Sequence, residues 1–101
     1  MIKIGCVCGL GMGSGLLVKM AVDNVLKRNG FEDGTWLSEV LDVNTASKQV
    51  IDIYLTTREF ATKLRDTPAK VVTVINLFNE KEIEEALVPV YKEVVNIKSS
   101  K

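Results

Sequence analysis

Residues 8–15 read Cys8-Gly9-Leu10-Gly11-Met12-Gly13-Ser14-Gly15. A cysteine that opens a run of alternating glycines is a nucleophile at the mouth of an anion site. Glycines let the chain turn tightly, so successive backbone N–H groups of residues 9–15 can converge on one oxyanion. A helix starting beyond Ser14 adds its dipole and its unpaired N–H groups. The same field favours the thiolate of Cys8 and lowers its pKa below the free value of about 8.5. Such a thiolate can attack phosphorus, and the amides that activated it can then hold the phosphoryl oxygens. The bland alternative is a buried, inert thiol.

Other glycine-rich loops fit less well. The third glycine does not fall where G-x-G-x-x-G requires it. Glu39 or Asp42 supplies only loosely the acidic residue of a dinucleotide site, and the Lys-Ser/Thr pair of a Walker loop is missing. Cys6 shares a strand face with Ile2 and Ile4 and reads as core packing. Two thiolates at 6 and 8, in a chain without histidine, do not complete a zinc site. The chemistry asks for no metal and no cofactor.

The elements that must position this loop follow from the flanking pattern. Ile2 to Val7 reads as a strand. From Leu16 the pattern is helical, with Leu17, Ala21, Val22 and Val25 on one stripe and Lys19, Asp23, Lys27 and Arg28 largely opposite. Ser14 is its expected N-cap and Asn29-Gly30 its stop. Thr35 to Leu41 and Ile51 to Thr56 read as strands, with a short helical turn between them at Asn44 to Lys48. Thr57 to Arg65 is helical, with Phe60, Ala61 and Leu64 on one face, and Asp66-Thr67-Pro68 ends it. Lys70 to Ile75 reads as a strand covered on both faces. Asn79 and Glu82 have the spacing of a capping box, and Pro89 should kink or restart the helix that follows. The order predicts an α/β fold, an open three-layer sheet of four mainly parallel strands flanked by helices, with the cysteine loop after the first. In such sheets ligands bind beyond the carboxyl ends of the strands, where this loop lies.

The 101 residues suit one domain, with a frayed tail at 98–101. Thirteen basic and thirteen acidic residues balance, which argues against a nucleic-acid partner. No apolar run reaches the length of a bilayer span, the N-terminus reads as a strand start, and two cysteines suit a reducing cytoplasm.

The run from Cys8 to Gly15 resembles the C-G-x-G-x-G-S-S signature of the enzyme IIB subunits of the bacterial phosphoenolpyruvate-dependent sugar phosphotransferase system. It is most similar to the ascorbate type, within the lactose, galactitol and ascorbate group, and Lys19-Met20-Ala21-Val22-Asp23 extends the resemblance. The resemblance implies a cytoplasmic phosphoryl carrier, peripherally associated with the membrane. Cys8 would accept phosphate from a phosphohistidine of enzyme IIA and pass it to a sugar held by the membrane enzyme IIC. Gly9, Leu10, Gly11, Met12, Gly13, Ser14 and Gly15 would cradle the phosphate mainly through their backbone. Gly15 stands where the signature has its second serine.

Two other functions share the loop. Low-molecular-weight phosphatases use a similar cysteine loop, but they need an arginine where this chain has Ser14, and Asp66 is the candidate acid. A non-catalytic anion-binding module is the other. Met12 could meet a partner or pack inward. Trp36 reads as strand packing. Arg58, Asn76 and Asn79 fall on the loop side of the sheet and could face a phosphate donor. Glu80, Glu82, Glu84 and Glu85 read as a solvated helix face.

Overall fold

The computed structural model describes residues 1–7, 12–32, 34–42 and 50–99. Ile2–Val7 forms β1, the strand around which the rest is arranged. Its alternation lets Ile2, Ile4 and Cys6 enter one core while Val7 enters a second on the opposite face. Gly5 lies on the Val7 side. A Cβ there would stand 2.8 Å from Leu41 Cδ1 and 3.2 Å from Tyr54 Cδ1, so a side chain at this point fits only if its neighbours shift.

Met12–Arg28 forms α1, Trp36–Leu41 β2, Ile53–Thr56 β3, Arg58–Leu64 α2, Lys70–Thr73 β4 and Glu80–Ser99 α3. The sheet order is β2-β1-β3-β4, and every pairing is parallel. From β1 the chain steps one way to β2, and from β3 it steps the other way to β4. Right-handed crossovers in opposite directions put α1 and α2 on opposite faces. α3 returns to the face of α1, where Val18, Val22, Val25, Leu26, Leu87 and Tyr91 pack with Ile4, Ile53 and Leu55. Leu64 of α2 closes the smaller core with Val7, Leu41, Ile51 and Tyr54. The three-layer α/β sheet expected from the element order is the one found.

Several boundaries moved. α1 begins at Met12 and not at Leu16, so Ser14 lies inside the helix and is not its N-cap. Gly13 is likewise helical; the positive-φ glycines among the described residues are Gly30 and Gly34. The buried stripe of α1 holds Val18, Ala21, Val22, Val25 and Leu26, while Leu17 is exposed. Gly30 ends α1 as expected, with φ of +86°, and Asn29 Nδ2 donates to the Val25 carbonyl at 2.7 Å. β4 stops at Thr73 and is an edge strand, leaving Ile75 92% exposed. Both of its faces are nevertheless covered, as expected, with Val72 in the larger core and Val71 against the smaller one.

The Asn79–Glu82 capping box is half formed. Asn79 Oδ1 accepts the N–H groups of Lys81 and Glu82, as an N-cap should. The Glu82 carboxylate turns away to take the N–H groups of Ile75 and Asn76, which the end of β4 leaves unpaired. Pro89 does not restart α3, which runs through it, and the ring faces outward. The helical turn expected at Asn44 to Lys48 and the last two residues of the tail lie outside the described residues.

Candidate functional site at the carboxyl edge of the sheet

The order β2-β1-β3-β4 has its switch point between β1 and β3, because the connections after those two strands leave to opposite faces. In open α/β sheets the helices diverge at such a point, and ligands bind in the crevice this leaves at the carboxyl ends of the strands. β1 delivers its last residue, Val7, to that crevice, and Cys8 is the next residue in the chain. Cys8, Gly9, Leu10 and Gly11 lie outside the described residues. What the structure shows is how both ends of that segment are held.

The first end is tied by Thr56. Its buried Oγ1 donates to the Val7 carbonyl at 3.0 Å, locking the end of β1 to the end of β3. The second end is the start of α1. Met12, Gly13, Ser14 and Gly15 occupy its first turn, where backbone N–H groups have no partner within the helix. No acidic residue stands in that turn. The positive end of the dipole is therefore not neutralised by the helix's own carboxylates. The early start of α1 changes the expected cradle: Gly13, Ser14 and Gly15 offer helical amides.

α1 is itself braced against the sheet. Asp23 is not simply part of a solvated face. It accepts Trp36 Nε1 at 2.9 Å, Ser38 Oγ at 2.7 Å and Lys19 Nζ at 3.2 Å. Burial pushes its carboxyl up, but the bonds from Trp36, Ser38 and Lys19 outweigh it and hold the pKa below its usual 3.8. Trp36 is buried strand packing, as expected, and it also serves this latch. The i,i+4 spacing to Lys19 was legible in the chain; the partners on β2 were not.

The remaining candidates separate. Cys6 is fully buried in the larger core, consistent with packing. Asn76 Oδ1 accepts the Phe78 N–H at 2.9 Å, and Asn79 Oδ1 caps α3, so both amide oxygens are spent on local structure. The acidic face is also partly committed. Arg28 bonds Glu80 at 3.2 Å and Glu84 at 3.5 Å, joining α1 to α3. Arg58 begins α2 and lines a cleft of about 650 Å³ with Thr57, Glu59, Thr73, Val74, Ile75 and Glu82. On the exposed side of α1, Leu16, Leu17 and Met20 are 54%, 57% and 52% accessible. They form an apolar shoulder within three turns of the helix start.

Residues 3–88 match the family model described as the PTS system, lactose/cellobiose-specific IIB subunit. The chain is also 30% identical over 83 residues to the "Ascorbate-specific PTS system EIIB component" of Mycoplasma pneumoniae (strain ATCC 29342 / M129 / Subtype 1). That alignment covers 79% of this chain and 84% of the relative. Among the described residues, no helix is long and apolar enough to cross a membrane.

Proposed function

The chain belongs to the lactose/cellobiose-specific IIB family of the sugar phosphotransferase system, and from that premise we propose that Cys8 is its phosphoryl acceptor. A IIB subunit works as a phosphotransferase in sugar transport, beside the other proteins of its system. The finer assignment has two steps. In the first, the Cys8 thiolate attacks the phosphorus of a phosphohistidine on enzyme IIA. The P–S bond forms as the P–N bond breaks, and the departing imidazole takes up a proton. In the second, a sugar hydroxyl held by enzyme IIC attacks the phosphorus. The P–O bond forms, the P–S bond breaks, the hydroxyl proton passes to solvent or a base, and the thiolate is regenerated. The acceptor we assign is ascorbate, on the strength of the relative's name and of the signature at residues 8–15. The protein works at the cytoplasmic face, docked to the membrane subunit.

The observation that carries this reading is the pair of elements that residues 8–11 join: a strand next to the topological switch point and a helix with no carboxylate in its first turn. Thiolate and phosphoryl dianion would both be favoured by the same amides. Gly9, Leu10 and Gly11 supply the turn in this proposal, and Met12, Gly13, Ser14 and Gly15 the helical N–H groups.

The test is labelling from phosphoenolpyruvate through the general phosphotransferase proteins and enzyme IIA. Wild type and Cys6→Ser should take up acid-labile label, and Cys8→Ser should not. Label that persists in folded Cys8→Ser would refute the assignment. Ascorbate should then discharge the labelled protein in membranes bearing enzyme IIC, while lactose should not.

A further inference from the structure

The cleft beside the switch point contains a cation with nothing to hold. Four surface cations are paired, Lys19 with Asp23, Arg28 with Glu80, Lys70 with Glu93 and Lys98 with Asp52; of those that are not, Arg58 is the one that lines this cleft. The Arg58 guanidinium has no hydrogen-bond or ion-pair partner among the described residues, although it lines a concave site of about 650 Å³. Thr57 sits at the N-cap position of α2 yet makes no side-chain cap bond. Thr73, at the end of β4, lines the same cleft, and its hydroxyl also has no partner among the described residues. A guanidinium and two hydroxyls without partners, gathered at one end of adjacent strands, match a group rich in acceptor oxygens.

The location narrows that chemistry. Thr56 Oγ1 is bonded to the Val7 carbonyl, and Arg58 follows Thr56 by two residues. The start of the cleft and the end of β1 are therefore held together at the carboxyl edge. The carboxylates lining the cleft are Glu59 and Glu82. Glu82 is engaged by the N–H groups of Ile75 and Asn76, which offset its charge. Glu59 opposes an anion, and Arg58 must outweigh it by bidentate bonding.

We propose that this cleft is an oxyanion subsite in which Arg58, with the hydroxyls of Thr57 and Thr73, binds a phosphoryl group. It rests on the reading of this protein as a phosphoryl carrier. The phosphoryl can come from two sources, the phosphocysteine of this chain or a free phosphate ester. Arg58 is a positioning residue for that phosphoryl group.

The experiment uses the full chain labelled with nitrogen-15. In a Cys8→Ser background, inorganic phosphate is titrated while the amides of Thr57, Arg58 and Thr73 and the Arg58 Nε–H are followed. The expected result is saturable shifts at these groups, at least tenfold weaker binding in Arg58→Gln, and partial recovery in Arg58→Lys. Equal isotherms for Arg58→Gln and its parent, or shifts confined to the first turn of α1, would overturn the proposal. Wild type phosphorylated at Cys8 is the second arm. A shift of Arg58 Nε–H there, without added phosphate, identifies the phosphocysteine as the source. A response to added phosphate alone identifies a free ester. If Cys8 takes no label while phosphate still binds the cleft, the carrier reading falls and the subsite stands. If Cys8 is labelled and Arg58 responds to neither source, the subsite falls alone.

Discussion

The hydroxyl of Thr56 donates to the carbonyl of Val7 at 3.0 Å, and both residues are fully buried. This bond pins the last residue of β1 one position before Cys8. Thr56→Val keeps the shape and removes the donor, at a cost of about 1–3 kcal/mol for a buried carbonyl that loses a partner. Thr56→Ser keeps the bond. We expect a lower melting temperature and slower phosphoryl transfer for the valine variant, with transfer close to wild type for serine. Denaturation curves and single-turnover labelling measure the two effects. Equal transfer by valine and wild type would show that the tie does not position the loop.

Asp23 should make stability depend on acid. Its folded pKa lies below 3.8, so its contribution is present above the unfolded value and is lost as pH falls through the folded one. Asp23→Asn should therefore flatten the acid limb of a stability profile below about pH 4. Asp23→Ala should cost about 2 kcal/mol near neutral pH, because the Trp36 and Ser38 donors lose their acceptor. Tryptophan fluorescence reads the event directly, since Trp36 is the sole tryptophan. An unchanged acid limb in Asp23→Asn would refute the latch.

Gly5 tests packing at the centre of the sheet. An added Cβ meets Leu41 Cδ1 at 2.8 Å and Tyr54 Cδ1 at 3.2 Å. The leucine methyl can rotate away; the tyrosine ring, buried in the smaller core, cannot. Gly5→Ala should cost about 1 kcal/mol and Gly5→Val about 3 kcal/mol. Leu41→Ala should partly rescue the valine variant in a double-mutant cycle. Additive costs would mean that Leu41 is not the obstacle.

Leu17 is exposed and touches neither core, so Leu17→Glu should change stability by less than about 0.5 kcal/mol. If the apolar shoulder of Leu16, Leu17 and Met20 meets a protein partner, the same change should raise the half-saturating concentration of phosphorylated enzyme IIA or enzyme IIC. Transfer titrations with each partner locate the contact, and unchanged titrations with both would remove the shoulder from the docking surface.

Gly13 offers a test of the helical part of the proposed cradle. Gly13 lies in α1, so Gly13→Val tests whether a branched side chain blocks approach to the helical N–H groups, not whether a positive φ is lost. Slower labelling with an intact helical signal is the expected outcome. Labelling at the wild-type rate would mean that those amides do not receive the phosphate.

Local signals carried the fold a long way. The bounds of β1, the stop at Gly30, the cap at Asn79 and the alternation of strands with helices each depend on residues close in the chain, and all were readable there. The cysteine at the end of β1 was readable for the same reason, since a thiol before a glycine run needs no distant partner to be noticed. Other features depend on neighbours that only folding supplies. Whether α1 starts at Met12 or Leu16 is not decided by helical propensity, which is too weak around glycine. β4 reads as covered on both faces, which holds, but its place at the edge of the sheet is known only from the order β2-β1-β3-β4. Asp23 reads as solvent-facing until Trp36 and Ser38 arrive from β2. Thr56 and Val7 are 49 residues apart, and the bond between them exists because β1 and β3 lie side by side. The sequence by itself determined most of the elements, because short-range sterics and hydrogen bonding set them, and it singled out Cys8 as the candidate nucleophile. The tertiary structure alone decided what faces the crevice, because strand order and crossover direction bring together groups that the chain keeps far apart.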